Sequence, residues 1–133
     1  MKGMLPMSKY RSIVIATAFV FAGSTAALAS CDGSLGRGWA GGNGKGSYEM
    51  AAGAQRCAIP FASFYSNNGN TRTPANEVSL RRAPKSGTIT LSSSGIVYTP
   101  EAGFTGKDRF CTINRSSKFE GETLSGCITV TVK

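Results

Sequence analysis

The sequence predicts an all-β fold, a single small antiparallel sandwich of about seven short strands. Three observations lead there. Short runs alternate apolar and polar side chains with a period of two, as a half-buried strand requires. Turn signals built from Gly, Ser, Asn and Pro separate these runs at short intervals. Four cysteines, an even number, fall in a chain that begins like an exported one, and disulfides are the default for such chains.

The alternation is clearest between Pro84 and Phe110. Gly87 and Gly95 bracket a run in which Ile89 and Leu91 alternate with Thr88 and Thr90. Ser92 to Gly95 reads as a turn, since serine bonds locally to backbone and glycine tolerates positive φ. Ile96 and Tyr98 then alternate, so residues 87–99 form a predicted hairpin, which Pro100 ends because it has no N–H for the ladder. Gly103 and Gly106 permit a corner around Phe104, and a further strand covers Arg109–Ile113.

The string P-K-x-G-T-(I)-T-L, then Y-T-P-x-x-G-F-x-G-x-D-x-F, then an alternating T-V-T-V end closely resembles bacterial Ig-like, cadherin-like modules that occur in tandem in secreted and surface proteins. The resemblance covers roughly residues 74–132. It implies an antiparallel Ig-like β-sandwich and carries no catalytic residues, because that family is a scaffold whose members do different things. Two departures stand out. The pattern occurs once here, and the strand after the corner reads D-R-F-C-T-I, with Cys111 where a polar residue is usual.

Residues 1–29 read as an export signal. Lys2, Lys9 and Arg11 form a positive start, Ile13–Gly23 an uncharged apolar stretch, and Ala27-Leu28-Ala29 a small-x-small cleavage site before Ser30. The alternative is a membrane-spanning helix: Ser12 to Ala29 gives 18 uncharged residues, the lower limit for a span. Leu28-Ala29-Ser30-Cys31 also resembles the bacterial lipoprotein box, which would make Cys31 an acylated first residue and anchor the protein to a membrane. The expected location is therefore periplasmic or secreted, with a membrane as partner only if Cys31 is lipidated.

Cleavage after Ala29 leaves about 100 residues, one domain with a modest core. With the leader's three cations set aside, twelve of the 15 Lys and Arg face 7 Asp and Glu, a net charge of about +5. That is less than a nucleic-acid binder carries, and export argues further against DNA or RNA. A solvated basic surface is the plain reading, and contact with anionic envelope polymers or phospholipid headgroups the sharper one.

Four cysteines allow three pairings, of which strand parity favours one. Phe110 and Ile128 read as inward-facing, so Cys111 and Cys127 face each other on the opposite side of a shared antiparallel register. Cys111–Cys127 is the first expected pair and Cys31–Cys57 the second. Lipidation of Cys31 would leave Cys57 odd. Zinc is disfavoured, with no C-x-x-C and no histidine.

In the N-terminal half, Gly33 to Gly46 holds seven glycines and reads as a loop or flexible arm, giving expected boundaries of 30–46 for a glycine-rich arm and 47–133 for the sandwich. Gly36-x-Gly38-x-x-Gly41 matches the dinucleotide fingerprint only as a string, with no strand before it and no helix after. Trp39 lies in this run, either as a plug on the sandwich or as an exposed loop contact for a ligand. Ser47–Met50 and Gln55–Ile59 are candidate strands joined by an Ala-Gly turn. Phe61, Phe64 and Tyr65 are expected to close one end of the core. Asn76–Arg82 is another strand with Val78 and Leu80 inward.

The chemistry is sparse. Without histidine, neither a Ser-His-Asp nor a Cys-His arrangement can form. The carboxylates are scattered, with no short spacing of a glycosidase pair. Asp108, in the corner, is expected to accept backbone N–H bonds and hold the turn; calcium binding is the alternative, poor beside Lys107 and Arg109. Arg81, Arg82 and Lys85 form one basic group and Arg115 and Lys118 a second, which would make one anion-binding face if their loops meet. Edge protection by charge is the plainer reading. The expected function is an exported, non-enzymatic module with a binding or structural role in the bacterial envelope, its partner an envelope protein or anionic polymer, with no cofactor and no metal.

Overall fold

The structure, a computed structural model, describes residues 31–133. The expected export signal lies outside the described residues. Ten strands and no helix make up what is described: β1 (Asp32–Ser34), β2 (Gly44–Met50), β3 (Cys57–Pro60), β4 (Ser63–Ser66), β5 (Thr71–Pro74), β6 (Glu77–Arg82), β7 (Gly87–Leu91), β8 (Gly95–Pro100), β9 (Gly106–Arg115) and β10 (Leu124–Val132). The described residues are all-β, in an arrangement consistent with a β-sandwich. A five-stranded sheet of order β1-β2-β10-β9-β6 shares one core with a three-stranded sheet of order β3-β8-β7, and β4-β5 form a separate ribbon.

The core follows from the period of two. Phe110, Ile128, Val130, Val132, Tyr48 and Met50 bury one face of the larger sheet, and Ile59, Ile96 and Tyr98 supply the facing side. Tyr98 and Phe110 stack in parallel across the two sheets. The 87–99 hairpin forms as β7–β8, with Ser92 Oγ accepting the Gly95 N–H at its turn.

Four expectations are corrected. The strand count is ten rather than about seven, because the sequence pattern missed β1, β4 and β5, each four residues or fewer. The larger sheet is mixed rather than antiparallel: β2 runs parallel to β10, with Gly44 beside Gly126 and Met50 beside Val132. The strand after the Ala-Gly turn starts at Cys57 rather than Gln55; the turn itself forms, the Ala54 N–H donating to the Ala51 carbonyl, and residues 51–56 cross from β2 in one sheet to β3 in the other. Leu80 and Tyr65 are not closed into the core: Leu80 is 38% exposed on edge strand β6, and Tyr65 is 61% exposed opposite Arg72 in the β4–β5 ribbon.

The glycine-rich stretch is also corrected, and the expected boundary at residue 46 falls inside β2. The glycines work by close approach. A methyl group on Gly44 would fall inside the Trp39 indole, and one on Gly126 would run into the Gly44 backbone. The bare pair Gly44–Gly126 leaves room for the indole to lie against the sheet. Trp39 is 7% exposed, its Nε1 donates to the Leu35 carbonyl at 2.7 Å, and its own carbonyl accepts the Ser125 N–H at 3.0 Å. Trp39 is therefore a plug and not an exposed loop contact.

Candidate anion-binding face

Strand β9 decides what the outer surface of the larger sheet carries. Asp108, Phe110, Thr112 and Asn114 point inward and are buried, so Lys107, Arg109, Cys111, Ile113 and Arg115 point outward. The register sets their neighbours. Lys107 lies opposite Thr131, which lies beside Glu49; Arg109 lies opposite Thr129, which lies beside Ser47; Cys111 lies opposite Cys127, which lies beside Lys45. The disulfides are Cys111–Cys127, across directly paired residues, and Cys31–Cys57, which joins the edge of the larger sheet to β3.

A bulge adds a further cation. Register shifts between Leu80 and Arg82, so that Arg82 rather than Arg81 pairs with Cys111. Without that extra residue, Arg82 would fall opposite Phe110, in the phase of the core. With it, Arg82 joins the outward face beside Arg109, and Arg81 stays exposed in the bulge.

Asp108 anchors the surrounding backbone. Its Oδ1 accepts the N–H of Lys85 at 2.9 Å and of Arg109 at 3.0 Å, and its Oδ2 accepts the N–H of Ser86 at 2.9 Å and the Tyr98 hydroxyl at 2.8 Å. The 5% exposed carboxylate thus fastens the β6–β7 connection onto β9 and brings Lys85 to the cations of β9. A depression of about 230 Å³ lies among Arg82, Lys85, Ser86, Lys107, Asp108 and Arg109.

Neither a family model nor a curated protein matches this chain.

The two basic groups singled out in the sequence do not meet. Arg82 pairs with Cys111 and Arg115 with Glu77, and four residues of extended β9 between the two positions span about 14 Å. Arg115 and the exposed Lys118 belong to the far end, around a depression that also holds Glu77, Glu120 and Glu122. Arg82 and Lys85 instead line one depression with Lys107 and Arg109, two cations that belong to neither sequence-local group, while Arg81 stays exposed in the bulge. The signal for them was available: parity places residues 107 and 109 on the same face as Cys111. The sole ion pair among the described residues is Lys133 with Glu49, at 2.9 Å. The cluster's cations have no carboxylate within ion-pair distance, and the one carboxylate in their midst is taken up by its four donors.

A larger cleft of about 610 Å³ lies at the 51–56 crossing and the Phe104 corner. Its lining is mostly Ala, Gly and Thr, with Arg56 and Glu101 as its charged groups.

Burial first, and then the hydrogen bond and charge of Asp108, push the Tyr98 phenol well above its ordinary value of 10.0. The folded state therefore keeps the proton after the unfolded state has lost it. Stability from this group is full below pH 10 and falls as pH rises beyond it toward the folded value. In chemical denaturation between pH 9 and 11, wild type should lose stability more steeply than Tyr98→Phe. Equal slopes would show that Tyr98 is not the group responsible.

Proposed function

We propose that the protein is an exported, non-enzymatic Ig-like module that binds an anionic partner in the bacterial envelope through the outer face of its larger sheet. The observation that carries this reading is the gathering of Arg82, Lys85, Lys107 and Arg109 without ion-pair partners, beside the hydroxyls of Thr129, Thr131 and Ser47 and the Cys111–Cys127 disulfide, on a face whose nearest exposed carboxylate, Glu49, is paired with Lys133. Unpaired cations on a flat, hydroxyl-bearing sheet attract polyanions at little desolvation cost. The Y-T-P-x-x-G-F-x-G-x-D-x-F resemblance supports the Ig-like assignment, and Asp108 in that string fastens the β6–β7 connection rather than the turn at Gly103–Gly106. Two disulfides fit an oxidising, extracytoplasmic compartment.

A lipoprotein acylated at Cys31 is the second reading. One sulfur cannot be both a thioether and half of a disulfide, so the Cys31–Cys57 bond favours a soluble mature chain. The intact mass of protein recovered from cells separates the two. A start at Ser30 with four thiols appearing on reduction supports the first reading, and a start at Cys31 with acyl mass supports the second.

Binding is tested with immobilised polyphosphate at several salt concentrations. Each surface cation contributes about 1 kcal/mol to such contacts. Arg82→Ala/Lys107→Ala/Arg109→Ala should weaken binding by about a hundredfold and flatten its salt dependence. Arg115→Ala/Lys118→Ala, at the far end, should change it by less than about threefold. Equal losses from both variants would mean that net charge, and not this face, does the binding.

A further inference from the structure

The two sheets of the sandwich have four edges, and three are blocked. Edge strand β1 is three residues long. Edge β3 ends in Pro60 and is tied by the Cys31–Cys57 bond. Edge β6 is bulged and carries Glu77, Arg81 and Arg82. Charges, bulges, proline and brevity are the usual means by which an edge refuses another strand. Edge β7 has none of them. It reads Gly-Thr-Ile-Thr-Leu, pairs with β8 in unbroken register, and ends in Leu91, 39% exposed.

The hydrogen-bond phase of β7 is fixed at both ends. Ser92 N–H donates to the Gly95 carbonyl and Glu101 N–H to the Ser86 carbonyl, both at 2.9 Å. Bonded and non-bonded pairs alternate in an antiparallel ladder, so Thr88 and Thr90 bond to β8. Gly87, Ile89 and Leu91 then turn their N–H and C=O groups to the open side. These three residues are spaced symmetrically about Ile89.

We infer that β7 is a homodimerisation edge, pairing antiparallel with β7 of a second copy about a two-fold axis through Ile89. In that register each outward-turned residue meets another: Ile89 meets Ile89, and Gly87 meets Leu91 in both directions. The exposed Leu91 of one copy is set against the bare Gly87 of the other, where the ring of Tyr98 is the side chain at hand. Thr88 meets Thr90, two exposed β-branched residues that pair well across strands.

The neighbouring edge is compatible with this occupant. β6 shares the flank of β7, because residues 83–86 join them while the Cys31–Cys57 bond ties β1 to β3 on the other flank. A two-fold axis reverses β6 against its copy, so the end carrying Glu77 meets the end carrying Arg82, opposite in charge. A chain of net positive charge repels its own copy elsewhere; on this flank the pairing strand is uncharged.

The test reads the register through charge. Wild-type protein is examined by sedimentation velocity over a hundredfold concentration range, beside two variants at Thr88 and Thr90, both exposed. Wild type should show a concentration-dependent dimer. Thr88→Lys/Thr90→Lys opposes like charges at both contacts and should weaken dimerisation at least tenfold. Thr88→Glu/Thr90→Lys opposes unlike charges and should dimerise at least as well as wild type. A wild-type monomer at every concentration overturns the inference. So does a dimer that both variants leave unchanged, or that both weaken equally, since either would place the contact elsewhere or in another register.

Discussion

Replacing Asp108 with alanine is expected to cost about 3–5 kcal/mol of folding stability, among the largest effects of any single substitution in this protein. The carboxylate accepts two N–H groups from the β6–β7 connection and the hydroxyl of fully buried Tyr98. Alanine leaves these donors without an acceptor, and each buried unpaired donor costs about 1–3 kcal/mol. Asparagine should recover part of the loss, because its carbonyl oxygen still accepts, while its amide nitrogen faces donors it cannot satisfy. Denaturant unfolding of the three proteins measures this order directly. Alanine costing less than about 1 kcal/mol would mean that the connection detaches and finds water instead. The alanine variant should also bind polyphosphate more weakly while Lys107 and Arg109 remain, because Lys85 is no longer held beside them.

The second large effect is expected from the disulfides. Chain-entropy arguments assign about 3 kcal/mol to a closed loop of either size found here, with separations of 16 residues for Cys111–Cys127 and 26 for Cys31–Cys57. Small domains are stable by about 5–15 kcal/mol in total. Removing both bonds by alanine substitution should bring the protein to the edge of unfolding at growth temperature. The single losses should be unequal. Cys111 and Cys127 sit within a β9–β10 register nine pairs long, which holds them together without the bond. Cys31 stands beside a three-residue strand, and its bond joins two sheets. Cys31→Ala/Cys57→Ala should therefore lower the melting temperature more than Cys111→Ala/Cys127→Ala. The reverse order would show that β1 contributes little to the folded state.

Much of this architecture could be read from residues alone where a period of two ran unbroken. The 87–99 hairpin and the facing of Cys111 and Cys127 followed from alternation, because one buried face fixes register and register fixes neighbours. The same parity places Lys107 and Arg109 outward, although neither belongs to a cluster of cations adjacent in sequence. Other features had no local signal. Arg82 reaches the cation cluster through a bulge, which depends on the pairing of β6 with β9 rather than on the sequence of β6. Gly33–Gly46 looked unable to pack because glycine offers no side chain. Its packing comes from Trp39 folding back over Gly44, a contact whose need for bare backbone appears only once β2 and β10 lie side by side. The parallel pairing of β2 with β10 joins residues some eighty positions apart, and propensity cannot see such a pairing.

That parallel pairing also determines how the molecule can be mounted. Asp32 lies opposite Glu49, and Glu49 lies beside Thr131. The chain therefore enters and leaves the described fold at one pole, unlike a bead threaded on a string, whose two ends point apart. Whatever is joined to either end attaches on the same side, and the domain hangs from that point as a pendant. Lys107 occupies the same row of the sheet as Asp32, Glu49 and Thr131, and Arg109 the next. A tether at either end would hold these cations close to the surface it is fixed to, and turn the Arg115 and Lys118 end outward.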